Sequence, residues 1–403
     1  MRGKVFRLYL VLSSRTSGSI TQILAATSSR LLPANPMRNF TLQFTGDFYK
    51  ADGSPVADLA FDLLAAAAYI QHGYFRDQLP GPSGAKNDRN PYAMEMKPHH
   101  FAAANGIVLS RPWVKQSAFA EGADNLVAIA RAGIGYDKID LEACTANDVV
   151  VFNTPLGMKH ATAAAALFFI LGLSKRFPLQ DRIVRSGSWD RQLEAVGDDL
   201  AGLTLGIVGL GNTGQELARL IAPFGMRLIA FSPHATEAIA RQFNVTLVDS
   251  LDGLLREADY VTLHGRLSEK TRGMIGEREL GLMKRTAFLV NVARGEMVDE
   301  PALIRFLQER RIAGAGLDVF EVEPLPASSP LIALENVMLS PHFLTATIQA
   351  SRAGCEEFMR GMLRVAQGML PNNILNPAVI NRPGFRKKLA RFAENSAGAG
   401  ALR

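Results

Sequence analysis

Residues 203–224, LTLGIVGLGNTGQELARLIAPF, constrain the fold more than any other stretch of the chain. A short apolar run ends in Gly209, Gly211 and Gly214 and passes directly into a helical pattern from Thr213 to Phe224. A strand that turns on glycines into a helix opens a βαβ unit. The alternation continues downstream: the apolar runs RLIAFS, VTLV, YVTLH, AFLVNVA, AGAGLDV and NVMLS are separated by helical segments such as TEAIARQF, LDGLLREA and DEPALIRFLQER. Strands alternating with helices over short turns pair in parallel, because each crossover helix packs back on the sheet. Residues 203–340 therefore predict a doubly wound α/β sheet.

Each glycine of the turn has its own task if a dinucleotide binds there. Gly209 makes the tight turn, Gly211 lets backbone amides reach the pyrophosphate, and Gly214 permits close packing of helix on strand. In such a unit the second strand normally ends in Asp or Glu, which holds the ribose 2′-hydroxyl of NAD and repels the 2′-phosphate of NADP. RLIAFSPHA instead puts Ser232, Pro233 and His234 in that place. Ser232 removes the main barrier to NADP, and only His234 and Arg241 bring positive charge near it in sequence. The expected cofactor is NAD or NADP, leaning to NADP.

At 403 residues, 48% hydrophobic and 20% charged, the chain has room for two or three globular domains with a large core. Its net charge of +6 sits in a leader: residues 1–46 carry Arg2, Lys4, Arg7, Arg15, Arg30 and Arg38 and no acid. The neutral remainder has no basic stripe, so nucleic acid is not an expected partner. Cys144 and Cys355 are too few for a disulfide framework and lack metal-ligand spacing, so a reducing compartment and no metal are expected. The longest apolar stretch, ATAAAALFFILGL at 161–173, falls short of the roughly 20 residues of a membrane span and reads as a buried helix, so no membrane partner is expected. The leader has the composition of an organelle transit peptide, or else translation begins at Met37; a cytoplasmic location is expected, mitochondrial if the leader is real.

Residues 39–135 carry smaller elements: a helix in DLAFDLLAAAAYI, a Pro/Gly-rich loop at LPGPSGAKNDRNPY, and strands in GIVLS and LVAIARAGIG. VVVFNTP and a long helix from about Ala161 to Phe177 lead into the doubly wound part, and a helix over about 347–368 leads back. GFRKKLARF, near the C-terminus, reads as a solvated end.

ARAGIGYDKIDL, VFNTP, HGRLSEKTRGMIG, LVNVARGEMVDEPAL, IAGAGLDVFEVEPLP and NVMLSPH, in that order, resemble the D-isomer-specific 2-hydroxyacid dehydrogenases. The resemblance is close over residues 105–345 and looser from about 45 to 380. It implies a Rossmann cofactor domain at 155–341 inserted into a smaller, flavodoxin-like substrate domain formed by 39–154 and 342–380, with a leader at 1–38 and a tail at 381–403. It also implies hydride transfer between NAD(P)H and a small 2-oxo acid or D-2-hydroxy acid, and a homodimer. That chemistry needs a cation to grip carboxylate and carbonyl, an acid to protonate the nascent alkoxide, and a group that poises the acid. Arg294 offers a planar fork for a carboxylate, His342 an imidazole, and Glu323 a carboxylate to orient it. Taken singly, these fit a surface ion pair, a buried histidine and a loop acid. Together they follow successive predicted strands, at the sheet edge where ligands bind.

By the same resemblance Asn212 and Thr213 contact the pyrophosphate, Val292 and Ala293 line the cofactor cleft, and Asp318 accepts from the nicotinamide carboxamide. Ile134 and Gly135 offer backbone amides to the substrate carboxylate, and Ser110 and Arg111 form a second substrate-side loop. His264 reads as a support for its strand end, Asp137 and Asp140 as turn and helix-cap residues. The chain departs from the family at Arg266, where proline is usual, at Ala164, where glutamate is usual, and at Leu344, where a small residue is usual; Phe343 and Leu344 would narrow the pocket. One branch of the family binds transcription factors, so the alternative function is a dinucleotide-sensing corepressor, which would call for a nuclear address that the sequence does not display.

Overall fold

Two parallel sheets organise the computed structural model, which describes residues 38–79 and 94–395. The leader at 1–36, and all but Leu79 of the loop at 79–92, lie outside the described residues. The first sheet comprises β1 (Phe40–Phe44), β2 (Ile70–Tyr74), β3 (Gly106–Leu109), β4 (Ala128–Arg131) and β5 (Val150–Asn153), in the order β2-β1-β3-β4-β5. The second comprises β6 (Thr204–Val208), β7 (Arg227–Phe231), β8 (Val245–Leu247), β9 (Tyr260–Leu263), β10 (Phe288–Asn291), β11 (Gly314–Leu317) and β12 (Val337–Leu339). Its order is β12-β11-β10-β9-β6-β7-β8.

Helices cover both faces of such sheets, so inner strands are buried throughout: all five residues of β6 are buried, and the strand reads as one apolar run instead of an alternation. The chain leaves β6 toward β7 and β8 on one side, then returns to β9 and continues to β12 on the other. Between β6 and β9 the crossovers diverge, and their carboxyl ends open the crevice where ligands bind. Helix starts are capped by the residue types that cap best: Thr236, Ser250, Asp299 and Thr347 each accept a backbone N–H of the first turn. Asp140 does the same for Leu141–Ala146, the cap expected of it.

Three expectations are corrected. DLAFDLLAAAAYI is not a helix: Ala60 adopts a left-handed conformation, only Phe61–Leu64 makes a 3-10 turn, and Ile70 opens β2. Leu59, Leu64, Tyr69 and Ile70 are instead buried one by one in the core around β1, where tertiary burial overrides helix propensity. The apolar helix runs Lys159–Ser174, stops at left-handed Arg176, and a second helix, Phe177–Ser186, restarts with Pro178 in its first turn. Among the described residues no single helix is long and apolar enough to cross a membrane, and Ala163, Ala166, Phe169 and Ile170 of the first are buried.

The third correction concerns GFRKKLARF, which is not solvated. Pro383–Ala390 is a helix, and Phe385, Leu389 and Phe392 join the core of the first sheet, each buried side chain being worth about 1.5–3 kcal/mol. Lys388 donates to the carbonyls of Ala123, Leu126 and Asn147, and Arg382 pairs with Asp148 at 2.6 Å, fixing the segment to the sheet's amino edge.

Candidate active site

The carboxyl ends of the second sheet deliver, in spatial order, Ser232 after β7, Gly209 after β6, His264 after β9, Val292 to Arg294 after β10, Asp318 after β11 and His342 beyond β12. Gly209 has φ +101°, and a Cβ there would stand 3.0 Å from His264 C and Gly265 N, so only glycine lets β6 turn beside the end of β9. A Cβ on Gly214 would stand 2.3 Å from the Gly209 carbonyl oxygen, whereas one on Gly211 would meet nothing within 4 Å. The middle glycine thus faces open space, and the helix Asn212–Ile221 starts without a side-chain cap, leaving its first amides to an anion.

His342 and Glu323 meet: Nδ1 lies 2.8 Å from Glu323 Oε2, and Glu323 Oε1 accepts from the Phe320 amide at 3.2 Å. With Nδ1 engaged, Nε2 is the nitrogen left to exchange a proton. His342 has φ +52°, a conformation costing a non-glycine residue about 1–2 kcal/mol. Buried Asp318 holds it there, for its Oδ1 accepts from the amides of Phe343 and Leu344 at 3.1 Å each and from the Ser340 hydroxyl. Arg294 reaches the same region through Gly295, whose added Cβ would stand 1.8 Å from Phe320 C. The loops bearing Arg294 and Glu323 therefore touch backbone to backbone.

Opposite lies the loop after β4. Gly133 donates to Thr154 Oγ1 at 2.7 Å, and Asn153 Nδ2 donates to the Ile134 carbonyl at 2.7 Å, so residues of the VFNTP segment hold the turn in shape. The Ile134 and Gly135 amides have no acceptor among the described residues. Arg294 Nε donates to Asp137 Oδ1 at 2.9 Å, Nη1 to the Ala293 carbonyl at 2.7 Å, and Nη2 lies against Gly135, 1.4 Å from where a Cβ would be.

The model of the D-isomer-specific 2-hydroxyacid dehydrogenase NAD-binding domain matches residues 167–343. A glyoxylate reductase of Korarchaeum cryptofilum is 40% identical over 271 residues, 66% of this chain and 81% of that protein. The chain belongs to the D-isomer-specific 2-hydroxyacid dehydrogenase family. A D-3-phosphoglycerate dehydrogenase of Methanocaldococcus jannaschii is 38% identical over 256 residues, 64% of this chain and 48% of that protein. The crystal structure of a glyoxylate reductase from Paecilomyes thermophila superposes with a TM-score of 0.70 at 25% identity, covering 85% of this chain and 99% of that one. This dehydrogenase is thus an oxidoreductase with an NAD-binding Rossmann sheet, joined to a first sheet in flavodoxin-like order.

The cofactor side fits a dinucleotide on an observation of its own. Asp318 Oδ2 is buried and has no hydrogen-bond partner among the described residues, an unmet acceptor suited to a carboxamide N–H₂. Burial pushes its carboxyl above the usual range. His264, by burial, is pulled down to about 4 and bonds through Nε2 to Thr262 Oγ1 at 3.0 Å, which fits support of the strand end. Ser232 is half-buried at the end of β7, and His234 and Arg241 are exposed. Leu344 is partly buried against the core cluster that includes Phe169, while Phe343 is exposed.

Several residues escape a reading of motifs. Asp137 is not merely a turn residue, since it pairs with Arg294. Although burial opposes it, the Arg294 charge holds its carboxyl below the usual range. Asp47 Oδ2 accepts the Arg111 amide at 2.9 Å and so shapes the Ser110–Arg111 loop. Arg131 lies over the same glycine turn, its Nη1 2.7 Å from where a Gly133 Cβ would be; burial, then neighbouring Arg294, pull it down to about 10. Asp77, His99 and His100 also gather, but His100 Nδ1 accepts from the Lys97 amide at 2.9 Å, so Nε2 carries the proton and donates to Asp77 instead of offering a lone pair to a metal.

Proposed function

We propose that this dehydrogenase reduces a small 2-oxo acid to its D-2-hydroxy acid with NADPH or NADH, and catalyses the reverse oxidation. The observation that carries the reading is the His342–Glu323 hydrogen bond on a loop system contiguous with Arg294, whose guanidinium end lies on the Ile134–Gly135 turn. The amides around Gly211, Asn212 and Thr213 would hold the pyrophosphate, Val292 and Ala293 would line the cleft, and Asp318 Oδ2 would take the carboxamide. The dinucleotide supplies the hydride. Arg294 and the Ile134 and Gly135 amides grip the substrate carboxylate and turn its carbonyl toward His342. His342 Nε2 donates a proton to the carbonyl oxygen as the carbon is reduced, and Glu323 offsets the imidazolium charge and fixes the ring. One hydride and one proton complete the hydroxy acid.

Two relatives are named for glyoxylate and for 3-phosphoglycerate. Arg131, whose guanidinium lies over the same glycine turn within reach of the Arg294 charge, adds a second cation beside the turn, and we read it as favouring a substrate with a second anionic group. Steady-state assays with NADPH and NADH against glyoxylate, hydroxypyruvate, pyruvate, branched-chain 2-oxo acids and a phosphorylated 2-oxo acid test both points. The expected outcome is turnover, with the dianionic substrate ahead and a KM for NADPH at or below that for NADH. Tight NADH binding without any turnover would instead favour the corepressor alternative, and a strong preference for NADH would overturn the reading of Ser232.

The reading includes a homodimer. Phe168, Phe177, Val184, Trp189, Leu193 and Val196 are 48–81% exposed along the two helices after β5 and the segment that follows, large apolar side chains that a second copy would cover. Light scattering should give twice the subunit mass, and Trp189→Glu with Leu193→Glu should halve it. A parent protein with the mass of one subunit would refute the dimer.

A further inference from the structure

We infer that Asp137 is a positioning residue for Arg294, presenting the guanidinium end-on to substrate and doing so only when the cleft between the two sheets is closed. The inference rests on the proposed reading of Arg294 as the cation that grips the substrate. A guanidinium can take a carboxylate side-on, through Nε–H and one Nη–H, or end-on, through Nη1 and Nη2. Here the Nε–H is given to Asp137 Oδ1 at 2.9 Å and one Nη1–H to the Ala293 carbonyl at 2.7 Å. Side-on binding is therefore blocked, and what remains is the end of the group. That end is the part lying on Gly135, beside the amides of Ile134 and Gly135 that have no acceptor among the described residues.

The pair also spans the cleft. Asp137 follows β4 of the first sheet and Arg294 follows β10 of the second, 157 residues apart in sequence. The preceding residue, Tyr136, is held the same way: Arg266, after β9, hydrogen-bonds its hydroxyl and lies 5.0 Å from its ring centroid. Two consecutive residues of one loop are thus clasped by arginines from adjacent strands of the other sheet. Parting the sheets breaks both contacts and leaves Arg294 with four side-chain torsions to reorder. Both side chains of the ion pair are largely shielded, Arg294 at 21% and Asp137 at 19% exposure, so the pair is not an ordinary surface one.

The test uses the full chain with Asp137→Ala and Asp137→Asn. Oxalate, a carboxylate mimic of the substrate, is titrated into the enzyme–NADH complex, and kcat and KM are measured with the best 2-oxo acid. Asp137→Ala should lower kcat about 30-fold or more, because a displaced binding group forfeits orientation. It should weaken oxalate about tenfold and leave NADH affinity within about twofold. Asp137→Asn keeps an oxygen to accept the Nε–H and should recover most of both losses. Oxalate affinity unchanged in Asp137→Ala would overturn the inference; so would Asp137→Asn no better than Asp137→Ala, since the loss would then follow charge and not the hydrogen bond. A parent that binds oxalate without turnover, with binding weakened in Asp137→Ala and restored in Asp137→Asn, would fault the proposed reaction and uphold the positioning role.

Discussion

His342→Ala should lower kcat by about 10²–10⁴-fold, the range a positioned general acid contributes, with NADH affinity within about twofold of the parent. His342 is the titratable donor of the site that a carboxylate places: Glu323 reaches its Nδ1 at 2.8 Å and is itself anchored by the Phe320 amide. The loop does not depend on the imidazole for its shape, because Asp318 holds it through the Phe343 and Leu344 amides and the Ser340 hydroxyl. Alanine at φ +52° suffers the same left-handed cost as histidine, so the substitution removes the proton carrier and little else. Glu323→Gln, which keeps a hydrogen-bond acceptor but not the compensating charge, should lose less. Steady-state kinetics and a fluorescence titration of NADH separate the outcomes. Lost cofactor binding would make His342 structural.

The second sheet and its ligand-facing edge were legible in the sequence for a physical reason. Strands buried on both faces read as continuous apolar runs, and in a parallel sheet their carboxyl ends share one edge, so the residues that follow successive apolar runs, Gly209, Arg294 and Asp318 among them, fall on that edge, while their roles rest on the family resemblance. Contacts made by docking two sheets leave no such trace. Asp137 is an acid in a turn until the first sheet meets the second and Arg294 arrives opposite it; within the first sheet, Asp47 after β1 takes the Arg111 amide after neighbouring β3, 64 residues on, a contact that strand order alone reveals. The miss at DLAFDLLAAAAYI has another cause: its apolar residues suit a helix, but Leu59, Leu64, Tyr69 and Ile70 are drawn one by one into the core around β1, and that burial prevails over propensity. The buried tail was hidden because Phe385, Leu389 and Phe392 sit among four cationic residues, Arg386, Lys387, Lys388 and Arg391, and only the structure shows Lys388 capping carbonyls instead of facing water.

Gly135→Ala should cost about as much activity as removing Arg294 altogether, on the order of 10³-fold in kcat/KM, while the folded protein persists. The added methyl carbon would stand 1.4 Å from Arg294 Nη2 and 3.1 Å from Asp137 Oδ1. Both atoms are ends of flexible side chains and no backbone atom crowds the position, so the chain yields by swinging the guanidinium out. Gly135 is not in the left-handed region, and alanine there should change stability by less than about 1 kcal/mol. Gly133→Ala is the contrast within the same turn. That residue has φ +112°, so alanine is strained wherever its neighbours go, and its thermal midpoint should fall by several degrees. Thermal unfolding and kcat/KM measured on both variants distinguish a turn that merely shapes the loop from one that seats Arg294. A fully active Gly135→Ala would mean that the guanidinium does its work from somewhere other than the face of this glycine. If Gly135→Ala is instead inactive at an unchanged midpoint, the absence of a side chain at 135 serves the arginine that lies on it, and the glycine is kept for catalysis and not for the turn.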